Sequence, residues 1–249
     1  MRFLGINLCE KVPDAKTIWK FKNDLAETET VDKLFCMFDE HLENKGLISH
    51  KGTIVDATFV DAPRQRNSRD ENKKIKNGVI PEEWEKPENK SKLAQKDIDA
   101  DWTKKNGERH FGYKDHVKCD ADSKLITNYS VTSASVHDSQ RCLVFIGQED
   151  EVLYADSAYS GKPIALALPE NCKNQICEKG YRNSPLTSEQ KMNNRRKSRI
   201  RCRIEQIFGF MTGAMHGITI RSIGITRAWM NIGITNLVYN FCRYSYLKR

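Results

Sequence analysis

The sequence predicts an α/β fold, in which a mixed sheet is flanked by helices. Residues 54–60 form a β-branched and aromatic run, and residues 152–155 form a second short apolar run. Between them, residues 111–132 alternate apolar and polar side chains around a polar turn. Alternation is typical of an antiparallel hairpin, whereas runs that are apolar on both faces are typical of strands buried between helices. Helical patterns connect these stretches, so both kinds of strand pairing are expected.

The first fifty residues predict two short helices. Asp14 is placed to cap a helix over residues 15–26, and Gly46 to end a helix over residues 31–45. Two short helices bury too little apolar area to fold alone, so they must pack either on the following domain or on a missing upstream part. The chain is therefore divided into a short helical N-terminal segment, residues 1–50, and a main domain, residues 51–249.

Residues 61–101 differ in composition from the rest of the chain. This stretch holds ten bases and ten acids but few large apolar residues, with Trp84 as an aromatic anchor and Trp102 just beyond it. Such a composition does not support a core of its own. The sequence therefore predicts a mobile charged insertion within the main domain.

The whole chain has the composition of a water-soluble globular protein. Of its 249 residues, 39% are hydrophobic and 30% are charged. Eight cysteines are scattered without a CxxC pair, which indicates reduced thiols in a cytosolic protein rather than a zinc site. Polar residues interrupt the apolar stretch 228–247, which predicts a docking helix and no membrane partner.

Positive charge is concentrated at the C-terminal end. Residues 190–249 contain twelve Lys or Arg and one acid, Glu205, for a net charge of +11, while the other 189 residues carry −3. This distribution predicts a nucleic-acid partner. The expected phosphate contacts of this helix are Arg195, Arg196, Lys197, Ser198 and Arg201. In the hairpin, Lys114 and His116 alternate with apolar residues, which predicts one face in the core and one basic face, and both residues are expected to contact DNA.

Three acids stand where local structure does not account for them. Asp56 lies in the middle of a core strand, and Asp156 at the end of a short buried strand, where open α/β sheets place their ligands. Glu205 borders the apolar stripe of an amphipathic helix. A helical i,i+4 pair between Arg201 and Glu205 is the simpler explanation for Glu205 alone.

Brought together, these three acids would repel one another unless a cation neutralised them. Carboxylate oxygens with open water positions suit Mg²⁺, and Mn²⁺ can substitute. Two such ions form the usual arrangement for phosphodiester hydrolysis and transfer. The residues thus predict Asp56, Asp156 and Glu205 as catalytic metal ligands, with two divalent ions as cofactors.

Four motifs resemble those of bacterial DDE transposases of the insertion-sequence-five type. IVDATFVDAPRQ is similar to the first-aspartate motif of that family, LYADSAYSG to the second-aspartate motif and RIRCRIEQIFGFM to the glutamate helix. DADWTKKNGERHFGYKDHVKCDADSKLI followed by TSASVHDSQ is similar to its middle strands, and the resemblance covers about residues 1–247. It implies a ribonuclease-H-like fold, the same metal-binding triad, double-stranded DNA of element ends and target as partner, and a homodimer on DNA.

The glutamate signature of that family is only partly present. Its pattern, Tyr–x2–Arg–x3–Glu–x6–Lys, falls here on Ser198, Arg201, Glu205 and Thr212, so that the aromatic and the lysine are replaced. Members of the family carry an N-terminal DNA-recognition region upstream of the part where this sequence begins. The resemblance therefore also predicts a chain that lacks this region, with residues 1–50 as a short helical N-terminal remnant.

Three functions are consistent with these observations. The leading hypothesis is a transposase catalytic domain, which hydrolyses DNA at element ends and joins the 3′-hydroxyl to target DNA. A second is a catalytically weak, truncated product that represses transposition by binding DNA. A third is a ribonuclease-H-like nuclease without strand transfer.

Overall fold

A mixed sheet of six strands forms the centre of the computed structural model, which describes residues 5, 7, 11–105, 107–217 and 219–249. The strand order is β2–β3–β1–β5–β6, and β4 pairs with β3. β1 is antiparallel to β3 and parallel to β5, which confirms the predicted mixed α/β sheet. The strands are β1 (Thr53–Asp61), β2 (Asp101–Lys105), β3 (Glu108–Asp120), β4 (Ile126–Ser133), β5 (Val152–Tyr154) and β6 (Lys173–Asn174).

Helices flank this sheet and begin close to where their capping residues predict. Asp14 accepts a hydrogen bond from the Thr17 N–H at the first helix, and Thr187 forms a capping box with Gln190 at the long basic helix. The helices of the described residues are α1 (Ala15–Glu27), α2 (Thr30–Asn44), α3 (Arg69–Lys76), α4 (Glu82–Glu85), α5 (Lys90–Ala94), α6 (Ser139–Phe145), α7 (Lys162–Ala167), α8 (Ser188–Gly213) and α9 (Ile225–Leu247).

The two faces of the sheet bury separate apolar clusters. On one face, Ile54 and Val117 pack with Ile204 and Ile207 of α8. On the other face, a second cluster surrounds Val55 and includes residues from α6, β5 and α7. β1 is therefore enclosed on both sides, as its apolar composition predicts.

The N-terminal helices pack against α9, as expected for two helices too short to form a core of their own. Phe35 of α2 belongs to the main core, and Asp32 accepts hydrogen bonds from Trp229 Nε1 at 2.9 Å and from the Tyr129 hydroxyl. A buried polar contact of this kind fixes how α2 lies on the sheet. The division of the chain at residue 50 stays a prediction.

The charged segment of residues 61–101 is more structured than its composition predicts. It contains α3, α4 and α5, and Trp84 at its centre is fully buried. Trp84 Nε1 donates to Glu71 Oε1 at 2.8 Å, and the ammonium groups of Lys92 and Lys96 each lie 5.3 Å from the indole centre. Lysine side chains can cover an aromatic ring with their aliphatic stems, so one tryptophan suffices to organise this polar segment.

Helix α9 docks on the sheet through buried polar side chains. Asn240 accepts a hydrogen bond from the Ile126 N–H at 2.9 Å and donates one to the Ile126 carbonyl at 2.7 Å. This pair of bonds places the asparagine against the backbone of β4, as expected for a docking helix. None of the helices that the structure describes has the length and apolar character needed to cross a membrane.

Asp115 gives the fold a measurable dependence on pH. It is fully buried beneath α9, accepts one hydrogen bond from Asn236 Nδ2 at 3.2 Å, and its Oδ2 has no hydrogen-bond partner. Burial raises the pKa of Asp115 from 3.8 to about 7, against a small lowering by Asn236. The folded protein therefore holds this proton more tightly than the unfolded chain, and stability falls as the pH rises through this window.

We expect Asp115→Asn to raise the melting temperature at pH 8 and to change it less at pH 5. The difference between the pKa of Asp115 in the folded protein and its ordinary value sets an upper limit of about 4 kcal/mol for the gain in unfolding free energy at pH 8. Thermal unfolding at the two pH values measures the effect, with Asp24→Asn on the exposed side of α1 as the matched control. Equal changes at both pH values would show that Asp115 is ionised in the folded protein.

Candidate active site

Asp56 lies on the face of β1 that packs against α8. Its side chain is only 15% exposed, and its Oδ1 accepts a hydrogen bond from the Ala57 N–H at 2.8 Å. Burial raises the pKa of Asp56 to about 6, although the Ala57 N–H and the nearby Arg201 lower it; the charge of Asp156 raises it further. Asp56 is thus a carboxylate held in place by its own strand and close to a second acid.

Asp156 stands two residues beyond the end of β5, the strand that pairs in parallel with β1. Ile54 of β1 is the register partner of Tyr154 of β5, and the two strands are parallel. Asp56 and Asp156 each stand two residues beyond this pair, and paired residues of parallel strands point to the same face. The Asp156 Oδ1 accepts a hydrogen bond from the Ala158 N–H at 2.6 Å, which orients the carboxylate at the strand end.

Glu205 reaches the same place from α8. The buried Ile204 and Ile207 hold this helix on the sheet, while the Glu205 side chain is 56% exposed. Arg201, one turn earlier, joins the two elements: its Nη1 lies 2.9 Å from Asp56 Oδ2 and its Nη2 lies 2.7 Å from Glu205 Oε1. The i,i+4 pair expected from the sequence is therefore present, but it is one half of a bridge between α8 and β1.

Arg201 supplies the positive charge among these acids. The charges of Asp56, Glu205 and Asp156 all favour its protonated form, and they outweigh the effect of its partial burial, so that its pKa is raised. A guanidinium that contacts two carboxylates from separate elements keeps them close without a metal ion. The arrangement can therefore hold a cation, and it can exchange the guanidinium for a divalent ion if Arg201 turns away.

The comparison with known families agrees with this geometry. Residues 48–241 match the sequence model of the family described as transposase DDE domain. This chain belongs to the transposase DDE domain family. Membership implies an enzyme of the nuclease and transposase class, a DNA substrate and the use of divalent metal ions, and the mixed sheet is the ribonuclease-H-like sheet expected for such a domain. No solved structure matches the chain.

A second acidic group lies at the opposite end of the transposase sheet. Among the residues that the structure describes, His50, Glu149 and Asp150 are the one group of three whose metal-ligating atoms all lie within 4.8 Å of one another. The Lys118 ammonium already occupies this group, at 2.9 Å from Asp150 Oδ2 and 3.5 Å from Glu149 Oε1. An internal lysine therefore neutralises this group, which makes it a structural ion pair.

The residues of α8 that are predicted to contact DNA differ in their exposure to solvent. Arg195 and Arg196 are exposed to solvent. Lys197 instead donates a hydrogen bond to the Ile176 carbonyl at 2.9 Å, and its side chain is 14% exposed. Ser198 is half-buried beside it. The predicted DNA contacts at Arg195 and Arg196 are therefore the accessible ones of this set.

The structure buries the face of the hairpin that carries Lys114 and His116, so neither residue presents the exposed basic surface on which the predicted DNA contacts depend. Both side chains are buried. Lys114 Nζ lies 2.7 Å from Asp138 Oδ1, and His116 Nε2 lies 2.8 Å from Thr132 Oγ1. Burial lowers the pKa of His116 to about 4, although Asp138 opposes this effect. The reason is that α6 and the loops beside it cover the second face of β3, which the alternation within one hairpin cannot reveal.

Sequence reasoning also missed one contact of this site and two contacts on the opposite face of β1. The Arg201–Asp56 ion pair joins residues 145 positions apart. The Phe59 and His110 rings stack at 4.3 Å, with the Lys105 ammonium 5.5 Å from the Phe59 ring. The glycine at position 112, inside an otherwise regular strand pattern, was the available signal that the hairpin bends there.

Proposed function

We propose that Asp56, Asp156 and Glu205 are the catalytic metal ligands of a DNA transposase. The reaction is metal-dependent hydrolysis of phosphodiester bonds at element ends, followed by transfer of the freed 3′-hydroxyl into target DNA. One observation carries this proposal: Asp56 and Asp156 stand at matching positions of parallel strands, and Arg201 links Asp56 to Glu205 on α8. Family membership supports the reaction class.

The donor set fits Mg²⁺, with Mn²⁺ as a substitute, because three carboxylates offer hard oxygen ligands and leave positions for water. When bound, two such ions would activate the attacking oxygen and stabilise the leaving one. Asp56 and Asp156 are the ligands fixed by backbone N–H groups, from Ala57 and Ala158. Glu205, which is more exposed, is the ligand that α8 brings to the site.

Arg201 has two roles in this proposal. Without metal it holds Asp56 and Glu205 together, and it must release both carboxylates before they can bind an ion. The released guanidinium then lies next to the reacting phosphate, which it can bind through two parallel hydrogen bonds. Arg201 is thus a positioning residue before DNA binds and a phosphate clamp afterwards.

The exposed arginines of α8 hold the DNA backbone. We expect the double variant Arg195→Gln, Arg196→Gln to reduce the slope of log K against log [salt] by up to about two, because each lost phosphate contact removes about 0.9. Fluorescence anisotropy with a short duplex from 50 to 400 mM salt measures the slope. Lys45→Gln, at the exposed end of α2, is the matched control. An unchanged slope would place DNA on another face of the domain.

A cleavage and strand-transfer assay tests the proposed function. The substrate is a set of duplexes that carry the DNA sequences on either side of the gene, incubated with Mg²⁺ or Mn²⁺ and a target plasmid. Joined product that requires the metal supports the transposase. Metal-dependent cleavage without joining would indicate a nuclease that lacks strand transfer. DNA binding without cleavage would favour the repressor. The mass of the protein–DNA complex in the same samples tests the predicted homodimer.

A further inference from the structure

The segment that follows β6 leaves the sheet beside the proposed catalytic acids. The Cys177 N–H donates a hydrogen bond to the Ala155 carbonyl at 3.0 Å, and Ala155 immediately precedes Asp156. The Cys177 thiol also lies 3.9 Å from the Ser198 hydroxyl of α8. The loop of residues 178–186 therefore begins at the edge of the proposed site, between the end of β5 and α8.

Helix α8 holds the start of this loop in place. The Asn194 side chain accepts a hydrogen bond from the Glu178 N–H at 2.9 Å and donates one to the Glu178 carbonyl at 3.0 Å. Lys197 donates to the Ile176 carbonyl at 2.9 Å, and its ammonium lies 3.8 Å from Glu178 Oε1. Asn194 precedes Arg201 by two turns of the helix, which corresponds to about 10 Å along its axis. The loop is thus attached to α8 at about this distance from Arg201.

The loop presents one aromatic ring to solvent. Tyr181 and Ser184 exchange two backbone hydrogen bonds, of 3.0 and 3.1 Å, which close a tight turn. A Cβ on Gly180 would lie 3.3 Å from Leu186 Cγ, so the chain on either side of the turn is also close together. Tyr181 is nevertheless 62% exposed, and the Lys179 ammonium lies 5.9 Å from the centre of its ring. Because the turn is closed, the position of the ring is set largely before a ligand binds.

Positive charge surrounds this ring. Lys179 and Arg182 are exposed, and neither forms an ion pair with a residue that the structure describes. Leu186 joins the loop to an open cavity of about 610 Å³ on α8, and no acid lines this cavity. Three exposed cations of the lining stand four residues apart on one side of the helix: Lys191, Arg195 and Arg199. Like charges at this spacing repel, so the surface is complementary to an anionic ligand.

An exposed ring among cations suits a nucleic-acid strand with an unpaired base. Every base inside a duplex is already stacked on its neighbours, so an aromatic side chain stacks on a base that is terminal or unpaired. The cations beside the ring then bind the phosphates of the same strand. Both features of the loop, the ring and the charge, are therefore used by one ligand.

We propose that the 178–186 loop binds an unpaired stretch of the DNA strand close to the cleaved bond. Tyr181 stacks on one base, and Lys179 and Arg182 bind the neighbouring phosphates. The distance along α8 places this base within about three nucleotides of the reacting phosphate, at about 3.4 Å per nucleotide. The proposal rests on the proposed function, since it assumes that DNA reacts at the three acids. It adds a preference for DNA with an open end over a fully paired duplex.

Two DNA ligands of the same sequence test the stacked base. One is fully paired, the other has a short unpaired stretch at one end, and fluorescence anisotropy without divalent metal measures the Kd of each. We expect wild-type protein to bind the open-ended DNA more tightly by roughly 5- to 150-fold, the range for stacking of one base on an aromatic side chain. Tyr181→Leu is expected to abolish this preference and Tyr181→Phe to keep it.

Tyr246→Leu is the matched control. Tyr246 is 63% exposed near the end of α9, and the Arg243 guanidinium lies 4.9 Å from the centre of its ring. It therefore shares the exposure of Tyr181 and a cation neighbour, but it lies outside the loop. We expect Tyr246→Leu to keep the wild-type preference. Equal binding of the two ligands by wild-type protein, or an unchanged preference in Tyr181→Leu, would overturn the proposal.

The salt dependence of binding tests the two cations of the loop. We expect the double variant Lys179→Gln, Arg182→Gln to reduce the slope of log K against log [salt] for the open-ended DNA by up to about 1.4, because each contact to a single strand contributes about 0.7. The control is Lys45→Gln with Lys248→Gln, two exposed lysines outside the loop. Equal slopes for the two double variants would exclude phosphate contacts by the loop.

A fluorescent adenine analogue, placed at one position at a time, locates the base. We expect wild-type protein to quench its emission at a position within about three nucleotides of the cleaved bond, and Tyr181→Leu to leave the emission unchanged. Equal quenching by the two proteins would contradict stacking on Tyr181. If wild-type protein neither binds nor cleaves DNA, the proposed function and the loop proposal both fail. If wild-type protein cleaves DNA and Tyr181→Leu behaves as Tyr246→Leu does, only the loop proposal fails.

Discussion

Asp56→Asn, Asp156→Asn and Glu205→Gln are each expected to lower the rate of DNA cleavage by more than about 100-fold. Loss of one metal ligand removes several kcal/mol of transition-state stabilisation, and about 1.4 kcal/mol corresponds to a factor of ten. Single-turnover cleavage measures the rate. The fold and the affinity for DNA are expected to change little, because the substitutions keep the size of each side chain.

Glu151→Gln is the matched control for this series. Glu151 is exposed and precedes β5, at the end of the strand opposite Asp156. The Glu151→Gln variant is expected to cleave DNA at the wild-type rate. Wild-type cleavage by any of the three site variants would remove that residue from the proposed triad, while loss of cleavage together with loss of cooperative unfolding would indicate a structural role instead.

Ile204→Ala is expected to give the largest loss of stability among these predictions, about 2–5 kcal/mol. Ile204 is fully buried in the core beneath α8 and precedes Glu205 directly. Truncation leaves a cavity where the helix contacts the sheet, so the helix shifts and Glu205 moves with it. Cleavage is therefore expected to fall even at temperatures at which the variant is folded.

Denaturant unfolding measures this loss, and Met192→Ala provides the comparison. Met192 lies on the same helix with 57% of its surface exposed, so its truncation should cost less than about 0.5 kcal/mol. If Ile204→Ala lowers the free energy of unfolding as little as Met192→Ala does, the contact of α8 with the sheet does not hold Glu205 in place.

The sequence predicted the elements of the site because their signals are local. The β-branched run identifies the strand around Asp56, and the short apolar run ends at Asp156. The helical period places Glu205 at the edge of an apolar stripe. Each of these depends on fewer than about twenty neighbouring residues, the range over which periodicity is informative. Their assembly on one side of the sheet followed from the resemblance to a family, which the match of residues 48–241 supports.

The predictions that failed depend on residues distant in the chain. Lys114 and Lys118 alternate with apolar neighbours as exposed lysines do, but Asp138 and Asp150 are ion-paired with them from other segments. The alternation shows which residues share a face, not what covers that face. The folding of the charged segment around Trp84 escaped prediction for the same reason, since its contacts come from separate short helices.

Crystals soaked in Mn²⁺ test the central claim most directly, because the anomalous scattering of manganese locates the ion. Of the two acidic groups described above, only the first is proposed to bind metal. We expect a strong peak bounded by Asp56, Asp156 and Glu205, with the Arg201 side chain turned away from both carboxylates it now contacts. No peak at these acids, or a peak only at His50, Glu149 and Asp150, would contradict the assignment of the catalytic site.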